Sequence, residues 1–167
     1  MNTYLNQLIK IKFSDKKEVE SGLLIDFNDE WILLKSNPVD YIIDGYCIIR
    51  NKNISKIISD DKTKKIEKAI ILKNMSVSEN DKIPINDIKT TFEELNKRFG
   101  IFQFSKKSDN VIYPGRLKKI SEGKLTIEWI DLEANWSKKR IFKLDGIRKI
   151  EFNNDYLNSL KLLADNK

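Results

Sequence analysis

The sequence predicts a mainly β protein of the α+β kind. It reads as two small five-stranded antiparallel barrels, a helical connector between them and a C-terminal helix. Three observations carry this. Short apolar runs alternate with polar, hairpin-scale turns over residues 8–58 and again over 101–152. A pattern of glycine and isoleucine in the first block returns 93 residues later. Between and after the blocks the apolar spacing becomes helical.

The first block opens with LIKIKF, which alternates from Ile9 through Ile11 to Phe13. Ser14 to Lys17 supplies a turn. Leu24 to Phe27 continues a second strand and Asn28-Asp29-Glu30 turns it. Trp31 to Leu34 is a third strand; its ILL run could be helical, but the flanking turns argue against that. Asn37-Pro38 ends it, because proline lacks the ladder N–H. Tyr41 to Arg50 reads as a long fourth strand bent at Gly45, and Ile54 to Ile58 as a short fifth.

Residues 59–99 form the connector. Ile66, Ala69 and Ile70 suggest a helix over 63–74, with AIIL open to a strand reading. Ser76 to Pro84 is polar loop. Ile88, Phe92, Leu95 and Phe99 recur at i, i+4, i+7 and i+11, one face of a helix. Asn86 or Asp87 can cap its start and Gly100 its end. The second block then runs Ile101 to Phe104, Val111 to Leu117, Leu125 to Ile130, Ser137 to Leu144 and Ile147 to Phe152. Asn153 to Leu163 is a final helix, with Tyr156, Leu157, Leu160 and Leu163 on one face. The domains are therefore 1–58, 59–99 and 100–167. Across the blocks Gly22 matches Gly115, and Ile54-Ser55-Lys56-Ile57 matches Ile147-Arg148-Lys149-Ile150. Each glycine marks a sharp bend where a side chain would obstruct the barrel.

Exclusions narrow the function. The 167 residues contain no histidine and one cysteine. The usual serine, cysteine and zinc hydrolase designs need an imidazole. Cys47 lies in the apolar run YCII and reads as a buried small hydrophobe. Neither glycine-rich phosphate cradle is present. The carboxylate pairs Asp29-Glu30, Asp60-Asp61 and Glu93-Glu94 read as solvated. No apolar run approaches a membrane span and the start has no signal-peptide core. A soluble, cytoplasmic, non-catalytic protein without metal or cofactor is expected.

The strand meander, the bent glycine strand and the short polar turn before an I-x-K-I strand resemble the Sm-like barrel. In that family the polar turn contacts nucleotides. The resemblance places it at Arg50-Asn51-Lys52-Asn53 and at Lys143-Leu144-Asp145-Gly146. The family's first motif, an aspartate followed by an asparagine, has no counterpart in the second block; Asp40 and Asp44 sit in PVDYIIDGY in the first. The whole chain is also similar to uncharacterised bacterial proteins carrying WILLK, DYIIDGY and RNK early and a second such barrel late. That likeness implies no established activity.

Net charge is +6, unevenly distributed. Residues 1–58 are neutral, 59–109 carry +2 and 110–167 carry +4. An acidic partner is implied. The candidate nucleic-acid-binding residues are Arg50, Lys52, Asn53, Arg116, Lys118, Trp136, Lys138, Lys139, Arg140, Lys143, Arg148 and Lys149. Arg116 and Lys118 share one strand face. Lys138 to Arg140 and Arg148-Lys149 are expected on adjacent strands, with Trp136 or Tyr113 offering a ring to a base. Solvated surface is the competing reading, since lysines number 26 and arginines only 5. Trp31, Tyr41 and Tyr46 are another possible stacking platform, with core the favoured place for Trp31. The expected function is an RNA-associated adaptor taking single-stranded RNA with weak sequence preference. A protein–protein module of regulatory or immunity type is the alternative, an enzyme third. Exposed edges are expected to be covered, leaving a monomer or dimer.

Overall fold

The computed structural model describes residues 1–107 and 111–167. The fold is mainly β and antiparallel, with ten strands and three α-helices among the described residues. The chain divides into two compact units, Met1–Ile85 and Asn86–Lys167.

The first unit holds β1 (Leu8–Phe13), β2 (Val19–Phe27), β3 (Trp31–Ser36), β4 (Tyr46–Arg50) and β5 (Ile54–Ile58), then α1 (Asp61–Leu72). The strands run as a meander, and β5 returns to pair with β1. Among the strands of this unit β4 and β5 come last at either side of the order and do not pair with each other, so the ladder stays open rather than closing into the expected barrel. The sheet nevertheless curls. Ile11, Leu24, Ile32 and Ile49 share one core, and Ile54 and Ile57 of β5 pack against it. A flat sheet would hold β4 and β5 about 19 Å apart.

The second unit begins with α2 (Ile88–Phe99). Then come β6 (Phe102–Lys106), β7 (Ile112–Ser121), β8 (Lys124–Ile130), β9 (Trp136–Lys143), β10 (Ile147–Phe152) and α3 (Asp155–Asp165). Its order is β10-β6-β7-β8-β9, again open between the ends. Phe142 of β9 lies 4.9 Å, ring to ring, from Phe104 of β6. Flat, those strands would stand about 14 Å apart, so this sheet curls too.

The ladders of the two units share their register. Ile9 pairs with Gly22 and Phe102 with Gly115. Leu34 pairs with Cys47 and Ile127 with Arg140. Ile11 pairs with Ile57 and Phe104 with Ile150. Each partner has moved 93 positions. A bulge falls between Leu24 and Asp26 and again between Leu117 and Lys119, where the strand bends. The glycines permit close strand approach at that bend. A Cβ on Gly22 would lie 2.5 Å from the Lys35 carbonyl oxygen, and one on Gly115 would lie 2.5 Å from that of Glu128.

The helices form where the capping residues allow. Asp60 and Thr63 cap α1 reciprocally, at 2.9 and 2.8 Å. Asp87 caps α2, and Gly100 at φ 73° ends it. Asn154 caps α3 through the Leu157 amide. α1 packs Ile66 and Ile70 on Leu8, whereas α3 packs Leu157 and Leu160 on Ile101, the residue 93 positions on from Leu8. In α2, Phe92 is buried against Phe102, worth roughly 2–3 kcal/mol by burial.

The expected fourth strand is shorter than the sequence suggests. β4 starts at Tyr46, not Tyr41. The Asn37 side chain donates to the carbonyls of Asp40 and Ile42, both at 2.7 Å, and winds 37–42 into a loop. Those local bonds replace ladder bonds, and Asp40 at φ 35° breaks extension. Residues 61–72 are helix, which resolves the AIIL ambiguity.

Candidate nucleic-acid interface

β9 is WSKKRIFK, with four cations and no carboxylate. It pairs with β8 alone among the described residues and ends the unit's strand order. Ser137 through Ile141 are all exposed, so side chains of both strand faces meet solvent. Ile141 is 67% exposed, whereas its counterpart Ile48 in β4 is fully buried. Lys143 stands directly opposite Lys124 on β8, both exposed. Like charges so paired cost a few tenths of a kcal/mol unless an anion joins them.

Beside β9 the β8 strand contributes one acid. Glu128 sits opposite Arg116 on one side and Lys139 on the other. Arg116 Nε donates to its Oε2 at 2.8 Å, and Lys118 Nζ to the same oxygen at 3.1 Å. The Arg116 bond, reinforced by Lys118 and opposed by partial burial, holds the Glu128 carboxyl below its ordinary range. Arg116 also lies 4.2 Å over the Trp136 ring and Arg140 lies 3.9 Å over Trp129. Such stacks orient each guanidinium for about 0.5–1 kcal/mol at exposed sites.

No family model, no curated protein and no solved structure matches the chain.

Geometry therefore sorts the sequence-predicted residues. Lys138, Lys139, Arg140 and Lys143 share the exposed strand, and Arg116 and Lys118 join through Glu128. Trp136 is half-buried, packed against the Ile130 cluster beneath Arg116. Tyr113 packs on Phe104 and Phe142.

Arg148 and Lys149 do not lie on a strand paired with that of Lys138 to Arg140. β10 pairs with β6 and β9 with β8, at opposite ends of the order, because the fifth strand returns to the first. Arg148 is 8% exposed, and Lys149 Nζ is bound to Glu151 at 2.9 Å. In the first unit Arg50 lies 4.1 Å over buried Trp31, with Glu30 at 3.6 Å. Lys52 is exposed. Asn53 takes φ 61° and donates to Asp15 Oδ2 at 2.7 Å, which makes it a turn residue here.

Two members escaped sequence reasoning. Glu128 neutralises part of the basic face, and Trp129 carries Arg140. Strand alternation in LTIEWI places the two on opposite faces, but only the register shows what stands opposite them.

The other charged centre lies in the first unit. Tyr46 Oη donates to Asp81 Oδ1 at 2.5 Å, Lys35 Nζ to Oδ2 at 3.0 Å and the Ser78 amide to Oδ2 at 2.7 Å. Burial pushes the Asp81 carboxyl up, but these three donors together outweigh it and hold it below the usual range. A fully partnered carboxylate of this kind anchors the 76–82 loop.

Proposed function

We propose that the chain is a non-catalytic adaptor of tandem Sm-like form whose second unit takes single-stranded RNA along β9. The Sm-like reading is supported by the four-strand meander, the fifth strand's return to the first and the glycine bends repeated 93 residues apart. The observation that carries the RNA reading is β9 itself: exposed on both faces, four cations, no acid, with two guanidinium–tryptophan stacks beside it. Cations spaced along a strand follow a phosphate backbone, while few groups here can read base edges. Weak, sequence-tolerant and salt-sensitive binding follows.

A protein strand added to the open edge of β9 is the competing use. Its lysines argue against that, since charges on an edge strand deter pairing. Titration of the monomeric or dimeric protein with labelled single-stranded RNA over a salt series tests the reading. Binding at tens of micromolar protein that weakens steeply with salt supports it. Absent or salt-independent binding overturns it.

A further inference from the structure

The second unit holds a groove of about 490 Å³, lined by Gln103, Ile112, Pro114, Trp129, Leu132 and Tyr156 among others. Leu132 is 83% exposed, Ile112 52% and Tyr156 47%, so apolar surface lies open to water. At the floor Gln103 is only 6% exposed. Its Nε2 donates to Glu151 Oε2 at 2.9 Å, which fixes the amide's orientation. Its Oε1 is buried with no hydrogen-bond partner among the described residues. A buried acceptor left so costs free energy unless a ligand donates to it.

The first unit has a groove at the same place in its fold. Lys10, Val19, Ser21, Asn37 and Val39 stand 93 positions before Gln103, Ile112, Pro114, Ile130 and Leu132. It measures about 160 Å³. Asn37 closes it with its own bonds: it donates to Asp40 and Ile42 and accepts from Ser21 Oγ at 3.2 Å. The fold thus does not oblige this place to be open or apolar.

We propose that the second unit's groove holds one unstacked base of the RNA, a flat ring against Trp129, Pro114 and Tyr156 whose N–H meets Gln103 Oε1. This rests on the RNA reading of β9. Continuity argues for that occupant: Trp129 lines the groove and carries Arg140 of β9 at 3.9 Å, so a base in the groove places its phosphate near that guanidinium. The groove includes none of the turn residues 143–146 that the Sm-like resemblance points to. Every common base offers an N–H donor, so the groove demands a base while discriminating little among them.

The test compares two labelled oligomers of one length, a single-stranded oligouridine and its abasic ribose-phosphate backbone, each titrated with the full chain at low salt. The base-bearing oligomer is expected to bind at least about tenfold tighter, as one stacked base commonly gives. Gln103→Leu and Leu132→Ser should each lower that oligomer toward the abasic level and leave abasic binding unchanged. Val39→Ser, the equivalent change in the first unit, should alter neither. Lys139→Gln should weaken both oligomers alike. Equal affinity of the wild-type chain for both oligomers overturns the groove assignment and leaves β9 as the RNA site. Binding of neither overturns both, and leaves the groove to a protein side chain.

Discussion

The two units share a register and differ in almost everything laid over it. At the position of Lys35 in the first, the second has Glu128; Tyr46 is matched by Lys139. In one unit a lysine reaches a buried aspartate; in the other a glutamate collects an arginine and a lysine. The amide at the bulge shows the same divergence. Leu24 donates to the Gln7 carbonyl at 2.9 Å, whereas Leu117 donates to Asn96 Oδ1 of α2 at 3.0 Å. The backbone plan constrains only the positions that close strands approach and the core fill. Charge, edge exposure and groove chemistry are free to part.

The glycines give the sharpest test of equivalence. Gly22→Ala and Gly115→Ala each press a methyl against a backbone oxygen, so each should cost about 3 kcal/mol. Chemical denaturation reads the size, and hydrogen exchange reads which unit opens. A large loss at one glycine and none at the other would reduce the shared register to a likeness of topology.

Asp81→Ala should cost about 2 kcal/mol in the first unit, because it removes the acceptor of the Tyr46 hydroxyl and of the Ser78 amide and the ion pair with Lys35. The folded Asp81 carboxyl lies below its ordinary 3.8. Its stabilisation is therefore full above that value and is lost as pH falls through the lower folded one. Denaturant midpoints between neutral pH and pH 3 should show a shallower acid limb in the variant. An unchanged limb would mean that the network holds no net stability.

Replacing Lys138, Lys139 and Arg140 together by glutamine should cost no more than about 1 kcal/mol of stability, since all three are exposed and only the stack of Arg140 on Trp129 is lost. RNA affinity should fall, and the log–log salt slope should shrink by about 2 for three lost single-strand contacts. An undiminished slope would make β9 ordinary solvated surface. The smallest effect belongs to Glu128→Gln. Freeing Arg116 and Lys118 should tighten RNA by about threefold, the worth of one exposed ion pair. Weaker binding would show that Glu128 positions those cations rather than competing for them.

Several features were legible from local pattern. α2 was readable because its apolar period, its Asp87 cap and Gly100 all lie within fourteen residues. The shared glycines were readable because an apolar alternation interrupted by glycine leaves a mark that recurs at a fixed offset. Cys47 and Trp31 were placed in the core by their apolar neighbours, and both are buried. The basic strand was readable as a run of letters. Its neighbours were not, because Arg148 and Lys149 follow it closely in sequence yet return to β6 in space.

The sequence by itself determined where most of the strands and the capped helices form, and that a glycine and isoleucine pattern recurs 93 residues on. Alternation, helical period and turn chemistry act over a few residues, so they are written in order. Only the tertiary structure decided that Glu128 clamps Arg116 and Lys118, that Asp81 gathers Tyr46 and Lys35, and that Trp129 joins a basic strand to an apolar groove. Those contacts depend on strand register and on how the sheet curls, which bring together side chains 10 to 46 residues apart. Backbone hydrogen bonding and the closeness allowed by two glycines set that register. The side chains that make each surface different are fixed in space only after it.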